Sequence, residues 1–214
     1  MNWRWRIAEG AAWGMGVLCL AGWTGVYIDG VAGRQRALDR FAALQATAQL
    51  QPGPPDQALW SPERIAAWRS AVKDPGATPV AVLRIRRIGL EVPVLEGTDE
   101  VSLNRGVGHI NQTAAPGADG NSGIAGHRDG FFRGLKDISP GDAIELETLR
   151  ATEIYRIERA WIVDPDDVSV LDPTPTRSLT LVTCYPFYFV GSAPRRFIVR
   201  AVLEGITTSD RRQR

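Results

Sequence analysis

The chain has 214 residues, 44% hydrophobic and 23% charged, which is enough for one domain of ordinary size with a proper core. Its 25 basic and 24 acidic residues leave a formal charge of +1, so no broad field recruits nucleic acid or acidic partners. Two cysteines and two histidines leave little room for a metal-spaced cluster.

Residues 10–28 carry no charge, and nineteen such residues make a helix about 28 Å long, close to the thickness of a hydrocarbon core. Trp13, Trp23 and Tyr27 suit interfacial anchoring. No A-x-A-like cleavage site follows, so the expectation is an uncleaved membrane anchor over residues 1–33. Arg4 and Arg6 precede the span and Arg34, Arg36 and Arg40 follow it, so charge alone barely orients it.

Residues 34–78 are expected to form a helical stalk and linker. Leu38, Phe41, Leu44 and Ala48 fall at helical steps, and Gln51-Pro-Gly-Pro-Pro55 stops that helix. A second helix is expected to run from Ser61 to Lys73, with Ser61 as cap and Pro62 at the first helical position.

From Pro79 the texture changes to alternation. Val80–Arg87, Leu90–Leu95, Ala143–Glu147, Ile154–Val163, Ser178–Cys184 and Arg196–Leu203 read as short strands separated by Gly and Pro clusters, the pattern of a barrel or sandwich over residues 79–207. Short helices are expected over Asp99–Arg105 and Asp129–Lys136. Pro165–Arg177, with three prolines and a run of aspartates, reads as a loop or lid. Residues 208–214 read as a polar tail.

The chemistry centres on Cys184, which ends a β-branched run and is followed by Tyr185-Pro186. A buried cysteine is ordinarily small apolar filling. At a strand end where proline turns the chain out of the sheet, it faces a cleft instead. A thiol with an ordinary pKa near ~8.5 needs a proton acceptor to act as nucleophile. Of the two histidines, His127 follows Ala125 and Gly126, which permit close approach, and precedes an expected helix. His109, between Gly108 and Ile110, is the weaker candidate. Arginine serves as a fixed fork toward a developing oxyanion, and adjacent Arg195 and Arg196 point to opposite faces of a strand. Only one of them faces Cys184.

Thr180-Leu-Val-Thr-Cys184, Ile124-Ala-Gly-His127-Arg128 and Arg196-Phe-Ile-Val-Arg-Ala201 resemble, in order, the three signatures of the sortases, membrane-anchored cysteine transpeptidases. The resemblance covers about residues 79–204 and implies a mainly β fold, an eight-stranded sortase-type β-barrel with short helices, behind an N-terminal transmembrane helix and helical stalk. Tyr185-Pro186-Phe187 and Gly191-Ser-Ala-Pro194 look like the Gram-negative branch. The resemblance implies Cys184 as nucleophile, His127 as proton donor and acceptor, and Arg196 as the catalytic arginine, with Arg195 the alternative. Thr183 matches a position that helps to place substrate or oxyanion. It further implies no cofactor and no metal. The implied partners are a secreted protein with a C-terminal Leu-Pro-x-Thr-Gly-like sorting signal and an acceptor amine of unknown identity. The implied place is the cytoplasmic membrane, single-pass, with the catalytic domain on the outer side.

Overall fold

A computed structural model describes Trp13, Leu20 and residues 55–73, 79–188 and 191–208. The expected membrane span, the first stalk helix and the polar tail therefore lie almost wholly outside the described residues.

Among the described residues the first helix is α1 (Pro62–Ala71). Its start follows local chemistry: the Ser61 hydroxyl accepts from the Arg64 amide, and Pro62 occupies the first turn, where its missing N–H costs nothing. Trp60 meets Phe131 edge-on with ring centroids 4.7 Å apart and Trp68 at 6.5 Å, and both tryptophans pack against the barrel core. The helix is thus docked on the domain by two aromatic side chains.

Eight strands follow: β1 (Ala81–Ile85), β2 (Leu90–Glu96), β3 (Val107–His109), β4 (Asn121–Gly126), β5 (Ala143–Thr148), β6 (Ala151–Val163), β7 (Ser178–Tyr185) and β8 (Arg195–Thr208). They close into a barrel in the order β1-β2-β3-β4-β7-β8-β6-β5. β2 and β3 pair in parallel, as do β4 and β7; the remaining pairs are antiparallel. Closure leaves no open edge and seals Leu83, Ile85, Val94, Ile144, Leu181 and Val199 among a larger set of apolar side chains inside. The mainly β barrel with short helices is as the sequence led us to expect.

Helix α2 (Glu100–Arg105) starts at Asp99, whose carboxylate accepts from the Val101 and Ser102 amides. The segment after His127 is a 3-10 turn over Phe131–Asp137 rather than an α-helix, with Phe131, Phe132 and Leu135 buried. β3 and β4 had no alternation to announce them. β3 is three residues long, and β4 reads Asn-Ser-Gly-Ile-Ala-Gly, poor in strand formers.

The Pro165–Arg177 segment is bonded to the sheet. Asn121 Nδ2 donates to the carbonyls of Val170 (3.2 Å) and Asp172 (3.1 Å), and Arg200 Nη2 donates to Val170 at 2.7 Å. Asn121 Oδ1 in turn accepts from Thr180 Oγ1 at 2.6 Å. The loop therefore forms a fixed wall along the outer faces of β4 and β8. At its end, Arg177 Nη1 reaches the buried Glu153 at 2.6 Å, and Tyr155 Oη donates to the same carboxylate at 2.7 Å. Burial, with that carboxylate beside it, holds the Tyr155 hydroxyl protonated far above the usual range.

Candidate active site

β7 and β8 set the site. Antiparallel register places Cys184 directly opposite Arg196 and Tyr185 opposite Arg195. Directly opposed residues share a face of the sheet, so Arg196 lies on the thiol's side and Arg195 on the other. Arg195 is exposed and lies 4.0 Å from Asp164. Arg196 is half-buried, with Nη1 donating to the carbonyls of Ala193 (3.3 Å) and Arg195 (3.1 Å).

β4 brings the histidine. In its parallel pairing with β7, Gly126 stands opposite Thr183, so one further residue puts His127 at the level of Cys184. Thr183 points to the opposite side of the pleat from Cys184. It is buried, and its hydroxyl donates to the Gly126 carbonyl at 2.7 Å. That bond clamps the residue before His127 to the residue before Cys184. The Thr183 side chain thus aligns the two strands.

Gly126 is tightly packed. A Cβ there would lie 2.7 to 3.0 Å from three ring atoms of Phe132. The small residue before His127 makes room for this aromatic ring and so lets the 3-10 turn fold back under the histidine. Gly126→Ala is expected to cost about 1–3 kcal/mol of stability by overpacking, measured by urea unfolding. A neutral result would show that the turn moves aside freely.

His127 and Cys184 line one cleft of about 670 Å3, together with Ser61 and Arg64 of α1, Asp129 and Tyr188. Cys184 is half-buried and unpaired. His127 is 20% exposed at its side chain, and its Nε2 makes no hydrogen bond among the described residues. The nearest acidic oxygen, Oε1 of Glu100, is 3.7 Å away, beyond hydrogen-bond reach. Burial, and next the Arg64 guanidinium, hold the imidazole pKa below its usual value, opposed by Glu100 and Asp129. The ring is therefore neutral near pH 7 and able to accept a proton.

His109 is committed elsewhere. It is 4% exposed, with Nδ1 2.9 Å from Glu96 Oε1 and Nε2 3.0 Å from the Ala114 carbonyl. One nitrogen meets Glu96 at the end of β2 and the other the Ala114 carbonyl in the β3–β4 connection. A second hollow of about 340 Å3 beside Trp60 and Ile88 has no cysteine or histidine in its lining.

The cleft's surroundings add residues that sequence reasoning missed. Arg128 donates to the carbonyls of Pro186 (3.1 Å) and Gly191 (2.7 Å), and Arg133 to that of Phe187 (3.1 Å), while its guanidinium stacks over Tyr188. These two arginines tie the histidine's segment to the loop after Cys184. Their positions shortly after His127 carried no spacing signal, because their partners are backbone carbonyls 54 to 63 residues away.

A family model of the Sortase domain matches residues 83–204, more than half of the chain. The chain belongs to the sortase family. It is 39% identical over 119 residues to Sortase D of Bacillus subtilis, an alignment that covers 55% of this chain. It spans 60% of that relative's length. Among solved structures it resembles sortase E1 of Streptomyces coelicolor with a tripeptide in the active site, at a TM-score of 0.58 and 32% identity, over 64% of this chain and 94% of that one. It also resembles a Sortase D5 transpeptidase of Clostridium perfringens, at 0.55 and 29%, over 66% and 89%. These organisms give no support to the Gram-negative branch expected from the flanks of Cys184, so the sortase is placed at the level of the family. The motif residues of this sortase (Cys184, His127 and Arg196) all fall inside the matched segment, whereas Arg64 falls outside it.

Proposed function

We propose that this sortase is a cysteine transpeptidase that cleaves a C-terminal sorting signal of a secreted protein and passes the acyl group to an amine. One observation carries the reading: Cys184 stands opposite Arg196 in the β7–β8 register and lines one cleft with His127. Cys184 Sγ attacks the scissile carbonyl and its proton goes to His127. Arg196 donates to the oxyanion through its planar fork. As the C–N bond breaks, His127 returns the proton to the leaving amine and a thioester remains. An incoming amine then attacks the thioester and gives its proton to His127. The departing thiolate takes it back as the new amide forms.

The sorting signal is read as Leu-Pro-x-Thr-Gly-like from the resemblance to the family. The wall formed by the 165–177 loop and the outer faces of β4 and β8 supports an extended peptide lying along the sheet toward Cys184. The anchor over residues 1–33 and an outward-facing domain belong to the same proposal, supported by the uncharged run of residues 10–28. Protease added to intact spheroplasts should remove the domain; protection until lysis would reverse the orientation.

Transfer is separated from hydrolysis by its product. With a sorting-signal peptide and a millimolar amine, the expected main product is the new amide. A free acid in equal yield with and without amine would make the protein a peptidase instead.

A further inference from the structure

We propose that Arg64, carried by helix α1 outside the matched sortase domain, is a positioning residue for His127. It would do so by occupying the two carboxylates that otherwise compete for the ring. The proposal rests on the reading of His127 as the proton carrier and extends it to a segment that precedes the barrel.

Arg64 is 16% exposed at its side chain; Nη2 lies 3.2 Å from Asp129 Oδ1, Nη1 donates to Asn104 Oδ1 and stands 3.8 Å from Glu100 Oε1. That same Glu100 oxygen is 3.7 Å from His127 Nε2. Glu100 thus sits between a permanent cation and a ring that becomes a cation only when protonated. With Arg64 present, Glu100 and Asp129 have a partner that does not titrate near neutral pH. Without it, two carboxylates face the imidazole alone. They would draw a proton onto it and hold Nε2 in an ion pair, away from its exchange with Cys184.

Other charged or titratable groups along this cleft are Glu63 on α1 and Arg128 and Arg133 after β4, with the Cys184 thiol on β7. Arg128 and Arg133 bond carbonyls of the loop after Cys184, and Arg64 is a cation that meets both carboxylates beside His127. The lowered pKa of His127, with Arg64 its largest electrostatic cause after burial, agrees with this geometry.

Folding explains why a stalk residue reaches the site. Ser61 and Pro62 fix the start of α1, and Arg64 is the residue whose amide the Ser61 hydroxyl caps. Trp60 and Trp68, packed on the barrel, flank it on either side, so the first turn of the helix is held where its arginine meets α2 and the residues after β4.

The test is a titration that needs no substrate. The full-length protein in detergent is labelled with [15N]histidine, and its two histidines are followed separately by NMR over pH 4–9. In Arg64→Gln the His127 midpoint is expected to rise by about half a pH unit or more. Arg64→Lys keeps the charge and should restore most of the original midpoint. Glu100→Gln removes the competing anion and should move the midpoint down, a reading that stands even where the Arg64 variant folds poorly. An unchanged midpoint in Arg64→Gln, or in Glu100→Gln, overturns the proposal, as does an Arg64→Lys shift as large as that of Arg64→Gln. Peptide cleavage that survives in His127→Asn would remove the underlying reading of His127 while leaving the titration result in place.

Discussion

Replacing Cys184 by alanine is expected to remove peptide cleavage below detection while leaving the fold intact. Cys184 is half-buried at the end of β7, so losing its sulfur leaves no sealed cavity and exposes no unpaired group. The stability change should be small, within about 1 kcal/mol. The rate change should be at least about ten-thousandfold, because Cys184 is the one thiol among the described residues lining the cleft. Ser61 and Ser192 line the same cleft but lie at the cap of α1 and on the loop after β7, away from the end of the β7 strand. Cleavage retained in Cys184→Ala, with unchanged urea unfolding, would mean that the thiol is core filling after all.

Arg196→Lys is expected to lower kcat/KM about 100- to 1,000-fold, whereas Arg195→Lys leaves it within about twofold. Lysine keeps the charge but loses the planar fork, whose Nη1 bonds the Ala193 and Arg195 carbonyls while its other N–H groups stay free to serve an oxyanion. Arg195 stands opposite Tyr185 on the other side of the pleat, exposed and loosely paired to Asp164, so its replacement touches nothing in the cleft. The reverse pair of results would exchange the roles of the two arginines.

The alternation that reads Arg195 and Arg196 as facing opposite ways is legible in any strand, and so is a cysteine at a strand end. Which arginine faces the thiol is a matter of register between β7 and β8, and register depends on the turn between them as well as on the strands' own patterns. The six strands with β-branched or aromatic alternation were readable. β3 and β4 were not, since Val-Gly-His and Asn-Ser-Gly-Ile-Ala-Gly carry glycine where strand formers are expected, and they are strands because β2 and β7 supply parallel partners. The glycines themselves have a packing reason: a Cβ on Gly108 would lie 2.1 Å from the Gly97 carbonyl oxygen, and one on Gly126 would enter the Phe132 ring.

The helix start at Ser61-Pro62 was legible because a cap is a local signal. What that helix does was not. Arg64 looks like one arginine among many in a stalk, and only tertiary packing of Trp60 and Trp68 brings it to Glu100, Asp129 and the neighbourhood of His127. Thr183 shows the opposite limit. Its place beside the cysteine implied a part in placing substrate or oxyanion; its side-chain bond to the Gly126 carbonyl had no signal in the sequence. Through that bond the residue before the nucleophile keeps the histidine's strand level with it.

The covalent intermediate is the most direct test. The full-length protein, mixed briefly with a Leu-Pro-x-Thr-Gly-type peptide and quenched in acid, is weighed intact and then digested. The expected result is an added mass equal to the peptide's N-terminal fragment, located on Cys184 and released as the hydroxamate by hydroxylamine. Peptide cleavage that proceeds with no adduct on Cys184 at any time would contradict the account.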